Sequence, residues 1–366
     1  MAKPRVLMVA RNRYRLPLSP GLAPKFEALE RELDLRVLAT AAPGSTTGDG
    51  TFVLVGSHGP RALDGVLFWV TLPWRIAGML RTFRPDAVLC QSSYEGAAAL
   101  LGRRLGRVPA RIVVEVHGDW RAATRLYGSP VRRLFAGVAD AVAAAALRRA
   151  DAVRTVSPFT AGLVRDLGVE PTSDFPAYME LGPFVRPVAP LPDRPNVVFV
   201  GVLEAYKNID GLASAWRRAA PRVPGASLHL VGNGSRTDLA EALVRDLGVR
   251  WDRELSAAQV ADAMDGAWAL VLPSRSEGMG RVLVEAFCRG RGVVGTRAGS
   301  IPNLVEDDVS GILVPADDVD ALADALVRIL SDLALAERLG AGARASADPW
   351  LQSPDEYARR VRELLE

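Results

Sequence analysis

Glu277 and Glu285 stand eight positions apart in the stretch SEGMGRVLVEAF (276–287), with Gly278 and Gly280 just behind the first and an apolar run leading into the second. At about 100° per residue, eight helical steps leave two side chains about 80° apart, so these carboxylates do not share a helix face. They bracket a turn instead. WALVLPS (268–274) reads as a strand and RVLVEAFC as a buried helix, with the glycines between them. A strand, a glycine turn and a helix N-terminus leave backbone N–H groups unpaired over the strand end, where phosphate or sugar oxygens are natural acceptors. Glu277 then accepts hydrogen bonds from a ligand in the turn, and Glu285 reaches a second part of the same ligand. The plainer alternative is that Glu277 caps the helix start and Glu285 is a solvated helix residue.

The elements that must position this stretch alternate along the chain. RVLMVA (5–10), LRVLAT, DAVLCQ, RIVVEVH and DAVRTVS read as strands, with a helix near LAPKFEALEREL. From 171 to 196 the chain carries seven prolines in 26 residues, so neither a helix nor a central strand passes through it, and it reads as a linker. The alternation then restarts with VVFVGV (197–202), SLHLVG (227–232), WALVLPS, GVVGT and GILVP. Such alternation predicts α/β architecture: two Rossmann-like, doubly wound domains facing each other across a cleft, with ligands beyond the carboxyl ends of the strands. The expected domains are 1–185 and 186–345, with a helix in 346–366 packing back on the first. Ser353 as N-cap, Pro354 in the first turn and Glu356 closing a capping box predict a well-started final helix.

At 366 residues the chain is long enough for two hydrophobic cores, and its 49% hydrophobic and 24% charged residues are an ordinary globular balance. Its two cysteines, Cys90 and Cys288, sit in or beside apolar runs and read as buried thiols in a reducing compartment. The N-terminal stretch is not expected to be a leader, and the near-apolar run 134–147 is too short to span a bilayer, so the expected location is cytoplasmic, with the inner membrane face as a further possibility. The net charge of +3 is uneven: residues 1–185 hold 24 Lys and Arg against 16 Asp and Glu, and the remainder is acidic. An anionic partner there, either an acidic substrate or a membrane surface, is one reading, and an arginine-rich solvated face is the other. Without aromatic interleaving or a Lys/Arg block, no nucleic-acid partner is expected.

SEGMGRVLVEA resembles the signature of the retaining glycosyltransferases of family 4, which have the GT-B fold: a Glu, seven residues, and a second Glu. FVGVLEAYKNIDGL (199–212), SLHLVGNG (227–234) and VEDDVSGILVPADDVDALADAL are similar to other segments of that family, as are VVEVHGDW (113–120) and ADAVRTVSPFTAGL (150–163) in the first half. The resemblance implies a retaining transfer of a hexosyl group from a nucleoside-diphosphate sugar to a hydroxyl of a glycan, glycolipid or small molecule. It implies Glu277 on the donor sugar, Glu285 on the ribose, and the backbone N–H groups of Gly278, Met279 and Gly280 on sugar and diphosphate. Lys207, in the loop after Gly201, matches the family's lysine on the diphosphate; Asn233 and Gly234 lie in the second glycine turn. His117, at a strand end, matches a histidine facing the donor sugar. His58 and His229 read as packing residues.

Two departures stand out. The family's Gly-Arg-Leu is Gly201-Val202-Leu203 here, so one phosphate cation is missing, and Arg281 is the candidate substitute, since a cation in a first helical turn is disfavoured unless an anion lies nearby. Asn303 stands where the family often has an acidic residue. The loop 11–21 follows the first strand without the glycine pair of many relatives; Arg11, Arg13 and Arg15 in it either meet an anionic acceptor or are solvated. A front-face substitution without cofactor or metal is expected, and Asp318-Val319-Asp320 reads as a helix start rather than a metal motif. A dinucleotide-dependent oxidoreductase is disfavoured because no G-x-G-x-x-G follows the first strand. The remaining alternatives are a catalytically weak sugar-nucleotide-binding protein and an epimerase on the same scaffold.

Overall fold

The computed structural model describes residues 3–56, 61–126 and 134–366, apart from the side chains of 61–64 and 123–124; His58 lies outside the described residues. The described chain forms two compact units. One is built from Met1–Thr124, Pro130–Tyr178 and Gln352–Glu366, the other chiefly from Met179–Leu351.

The first unit holds a seven-stranded parallel sheet of β1 (Arg5–Tyr14), β2 (Asp34–Ala41), β3 (Phe52–Val55), β4 (Ala87–Cys90), β5 (Arg111–Val116), β6 (Ala152–Thr155) and β7 (Ser173–Asp174), in the order β3-β2-β1-β4-β5-β6-β7. The second holds a six-stranded parallel sheet of β8 (Asn196–Val200), β9 (Ser227–Val231), β10 (Arg250–Asp252), β11 (Ala269–Leu272), β12 (Gly292–Thr296) and β13 (Gly311–Val314), in the order β10-β9-β8-β11-β12-β13. Helices cover both faces of such sheets, so β4, β6 and β11 are buried at every residue; β4 and β11 read as unbroken apolar runs, while β6 carries Arg154 and Thr155. In each sheet the strand order reverses once, between β1 and β4 and between β8 and β11, leaving a crevice at the carboxyl ends.

β1 is longer than RVLMVA. After a register shift between Val9 and Arg13 it pairs Arg13 with Thr40 and Tyr14 with Ala41, so Arg11 and Arg13 lie in the strand rather than in a loop. Tyr14 buries its ring among Phe26 and Phe52 at 5.6 and 5.3 Å, which supplies the apolar anchor for the extension. The proline-rich stretch contributes only edge strand β7 and a short turn at Gly182–Phe184. Its carbonyls find donors in two buried arginines. Arg289 donates to the carbonyls of Phe184, Arg186 and Pro187 at 2.8–3.1 Å and grips Asp265 with a bidentate pair at 2.8 and 2.9 Å. Arg291 donates to Ala189 O at 3.0 Å. A guanidinium carries five donors in a fixed fork, which suits a strap that has no sheet partner.

The last helix, Pro354–Leu365, packs on Ala23–Glu32 of the first unit, where Arg31 pairs with Asp355 and Arg362 with Glu32. Ser353 accepts from Glu356 N at 3.1 Å, but the reciprocal half of the expected capping box is absent, because the Glu356 carboxylate accepts from Arg360 instead. Asp318 caps Val319–Ser331 through Ala321 N at 2.9 Å. Cys90 and Cys288 are buried and free. No helix of the described residues is long and apolar enough to cross a membrane.

Candidate functional site

The loops that follow β8 and β11 flank the strand-order reversal of the second sheet, and they carry Lys207 and Glu277. Lys207 ends a short turn, Ala205–Lys207, and is 7% exposed. Its Nζ donates to Glu277 Oε2 at 2.5 Å, with Ser274 Oγ at 3.5 Å from the same oxygen. Glu277 therefore does not cap the helix start. Arg275 ties the two loops together: its amide donates to Tyr206 O and its guanidinium to Ala205 O, both at 2.7 Å, while Asp210 and Asp317 hold the guanidinium at 2.9 and 2.6 Å. An ammonium has three donors and Glu277 takes one, so the pair holds Lys207 aimed with donors left for a ligand anion.

Two glycines shape this turn. Gly280 is the N-cap of the helix Arg281–Cys288 at φ +66°, a left-handed conformation that costs other residues about 1–2 kcal/mol. Gly299, at φ +58°, lies so close to Glu277 that a Cβ would sit 2.3 Å from its carbonyl oxygen, and Ser300 N donates to that same oxygen at 2.9 Å. The backbone of Glu277 is thus fixed from behind by the loop after β12, while Thr296 Oγ1 donates to Ser274 O at 2.5 Å. Met279 is buried between Gly278 and Gly280.

Glu285 lies on the second turn of the helix and is partly buried, not solvated. Burial pushes its carboxyl above the usual carboxylate range, against the pull of Arg281 and Lys207. Among the described residues no hydrogen bond or ion pair is made to this carboxylate, while Arg281 is exposed on the first turn. On the other side of β8, Gly201 N donates to Val231 O and Leu203 N to Asn233 O, and Glu204 accepts from Ser235 N at 3.0 Å and Ser235 Oγ at 2.6 Å. These bonds bring the Asn233 and Gly234 turn beside the loop of Gly201 and Lys207. Val202 is 46% exposed there. His229 is a packing residue, buried with its Nε2 2.8 Å from Asp252.

The first unit carries the other sequence-derived candidates. His117 follows β5, with Nε2 3.5 Å from Glu115 Oε2. Glu115 is fully buried, pairs with the equally buried Arg154 of β6 and accepts from Gln91 Nε2. Burial alone would raise the Glu115 carboxyl, but Arg154 and His117 outweigh it and hold it at about 2. Arg154 also donates to Phe175 O and Pro176 O at 3.1 and 2.8 Å and lies 3.8 Å over the Phe175 ring. A carboxyl with a depressed folded-state value contributes stability above the ordinary 4.5 that is lost as pH falls toward 2. Acid unfolding followed by circular dichroism should therefore steepen between those values in the native protein, and Glu115→Gln should flatten that limb.

Arg11, Arg13 and Arg15 do not converge. Arg11 N donates to Glu95 Oε1 at 3.0 Å and its guanidinium lies 5.7 Å from the Trp69 ring, Arg13 is exposed, and Arg15 reaches Pro43 O at 3.3 Å. Sequence reasoning missed Arg275, Gly299, Glu115 and Arg154. A charge inside a strand buried on both faces, as in RIVVEVH and DAVRTVS, must be paired, and that signal was readable for the last two.

Residues 194–332 match the family described as Glycosyl transferases group 1, and residues 13–173 match the family described as Glycosyl transferase 4-like domain. One glycosyl transferase family model thus matches each half, and together they mark the chain as GT4-like. It is 31% identical over 165 residues to the GDP-mannose-dependent alpha-(1-6)-phosphatidylinositol monomannoside mannosyltransferase of Mycobacterium tuberculosis (strain CDC 1551 / Oshkosh), covering 42% of this chain and 43% of that protein. It is 32% identical over 235 residues to the D-inositol 3-phosphate glycosyltransferase of Saccharomonospora viridis, covering 59% of this chain and 51% of that protein. The chain thus spans about half or less of these curated relatives. Among solved structures, sucrose-phosphate synthase from Thermosynechococcus elongatus superposes with a TM-score of 0.79 at 19% identity over 99% of this chain and 98% of that one. Anabaena HepE in complex with UDP and glucose superposes at 0.73, with 16% identity over 99% of each chain. The fold is α/β, of the GT-B type.

Proposed function

We propose that this chain is a retaining glycosyltransferase that moves a hexosyl group from a nucleoside-diphosphate sugar to an acceptor hydroxyl of a glycan, glycolipid or small molecule, without metal or cofactor. The observation that carries the reading is Glu285: a partly buried carboxylate with no partner among the described residues, drawn on by Arg281 and Lys207, on the helix that starts beside the Lys207–Glu277 pair. Ionised carboxylates only accept hydrogen bonds, and vicinal hydroxyls offer paired donors, so Glu285 suits a ribose and Glu277 a hexose. The backbone N–H groups of Gly278, Met279 and Gly280 serve the sugar and diphosphate, and Asn233 and Gly234 complete the donor side.

Lys207 supplies the charge that stabilises the departing nucleoside diphosphate, a group whose negative charge grows in the transition state. In a front-face substitution the bond from the anomeric carbon to the phosphate oxygen breaks, the acceptor oxygen bonds on the same face, and the acceptor proton passes to the leaving phosphate. Neither Glu277 nor Glu285 is assigned as a nucleophile. His117 is proposed to orient the donor sugar, and Arg281 to stand in for the cation missing at Val202. The relatives named for GDP-mannose and the neighbour solved with UDP support a nucleotide-sugar donor.

Product analysis by NMR tests the mechanism: the anomeric configuration of the new linkage should equal that of the donor, at a rate unchanged by chelator. An inverted linkage, or a rate lost to chelator and restored by Mg²⁺, contradicts it. The exposed Val202 favours a second reading, a sugar-nucleotide-binding protein with little turnover, for which donor binding would be seen without product.

A further inference from the structure

An open groove lies at the amino ends of β4, β5 and β6, the edge of the first sheet opposite its crevice. Its lining includes Arg84 and Asp86 before β4, Arg103 and Arg107 at the end of the helix Ser93–Gly106, Arg111 at the start of β5, and Asp151 before β6. Both carboxylates are committed to the fold. Asp86 accepts from Arg5 N at 2.8 Å, while Asp151 accepts from Ile112 N at 2.7 Å and pairs with Arg103 at 2.5 Å. The guanidinium groups of Arg84, Arg107 and Arg111 make no hydrogen bond or ion pair among the described residues.

Backbone conformation singles out two of these arginines. Among the described residues, five that are not glycine have a positive φ: Arg84, Arg107, Asn208, Asp308 and Asp317. Asparagine and aspartate tolerate the left-handed region because their short side chains bond locally, and a long side chain has no such compensation. Arg84 follows the helix Arg61–Phe83 at φ +49°, Arg107 ends Ser93–Gly106 at φ +54°, and both line this groove. The helix Thr237–Leu247 ends in the same conformation on the usual glycine, Gly248. Service to the helix ends does not account for the two arginines. Arg81 on one helix and Arg103 and Arg104 on the other already place cations in the last turns, and Arg81 donates to Leu105 O and Gly106 O at 2.6 and 3.4 Å.

Two strained arginines in one groove point to a role outside the fold, in binding. A guanidinium fork matches phosphate oxygens bidentately, and three uncommitted forks suit an anion of several charges better than a lone carboxylate. We propose that this groove is an anion site for a small soluble molecule bearing a diphosphate or two phosphate groups, held by Arg84, Arg107 and Arg111. The site is independent of the transferase reading, because it lies in the first unit and Lys207 and Glu277 lie in the second.

Inorganic pyrophosphate is the probe, titrated calorimetrically into the full chain carrying Lys207→Ala, which removes the cation of the proposed donor site. Binding is expected to persist in that chain and to weaken with added salt. Adding Arg84→Asn/Arg107→Asn should weaken it roughly tenfold or more at undiminished thermal stability, since asparagine accepts the same backbone conformation and only the charged donors are lost. Arg111→Gln, which leaves both turns alone, should weaken it several-fold. No binding to the Lys207→Ala chain, or equal binding with and without the two asparagines, overturns the proposal. Competition by sulfate as strong as that by pyrophosphate also overturns it, as does a double variant that melts earlier without ligand, because the arginines would then serve a general basic surface or the fold itself.

Discussion

Lys207→Ala is expected to lower sugar transfer by about 100- to 1,000-fold, the usual cost of deleting one preorganised group that stabilises charge on a leaving oxygen. The geometry explains why so much rests on one ammonium. Lys207 is nearly buried, its Nζ is 2.5 Å from Glu277, and the loop that carries it is pinned to the Glu277 turn by Arg275. Its deletion also leaves Glu277, among the described residues, with only Ser274, at 3.5 Å, as a side-chain partner. The effect should fall on kcat more than on KM, because charge on the diphosphate grows as the bond to the sugar breaks. If Lys207 and Glu277 act as one unit, adding Glu277→Ala to Lys207→Ala should cost far less than the product of the two single effects. Steady-state kinetics on the four proteins of this cycle, each checked for retained thermal stability, reads both outcomes.

Arg289→Met should be the most damaging single change to stability in the second unit, by about 3–5 kcal/mol, a large part of the ordinary total for a domain. The arginine is 1% exposed, and its loss strands the Arg186 and Pro187 carbonyls, takes one of two donors from Phe184 O and removes the bidentate partner of Asp265, which keeps only Arg186 at 2.8 Å within hydrogen-bond reach among the described residues. Methionine keeps the volume, so the measured loss belongs to the donors rather than to a cavity. As a control, Arg217→Ala removes an exposed pair with Asp246 and should stay within about 0.5 kcal/mol of the native protein. Urea unfolding of the three proteins checks the ordering.

Most strands of both sheets were legible because parallel strands covered on both faces are largely apolar, while the short outer strands β3, β7 and β10 were not picked out; the spacing of Glu277 and Glu285 was legible because it fits no single helix face. What escaped depended on partners distant in sequence. Arg275 looks like a solvated loop residue until Asp210 and Asp317 close on it. The extension of β1 through Tyr14 is hidden in polar residues and appears only once the register shift brings Arg13 beside Thr40. Glu356 matches a capping box in sequence, yet Arg360 one turn later competes for its carboxylate. The Glu115 and Arg154 pair could have been inferred from two charges in apolar strands, but only the pairing of β5 with β6 places them side by side.

Release of nucleoside diphosphate from a panel of UDP-, GDP- and ADP-sugars, measured for the native protein and for Glu277→Ala at matched thermal stability, tests the assignment of the donor site most directly. The account predicts that at least one donor is turned over by the native chain and that the substitution abolishes its turnover. Unchanged turnover by a folded Glu277→Ala protein, or a native chain that neither binds nor turns over any of the donors, would contradict it.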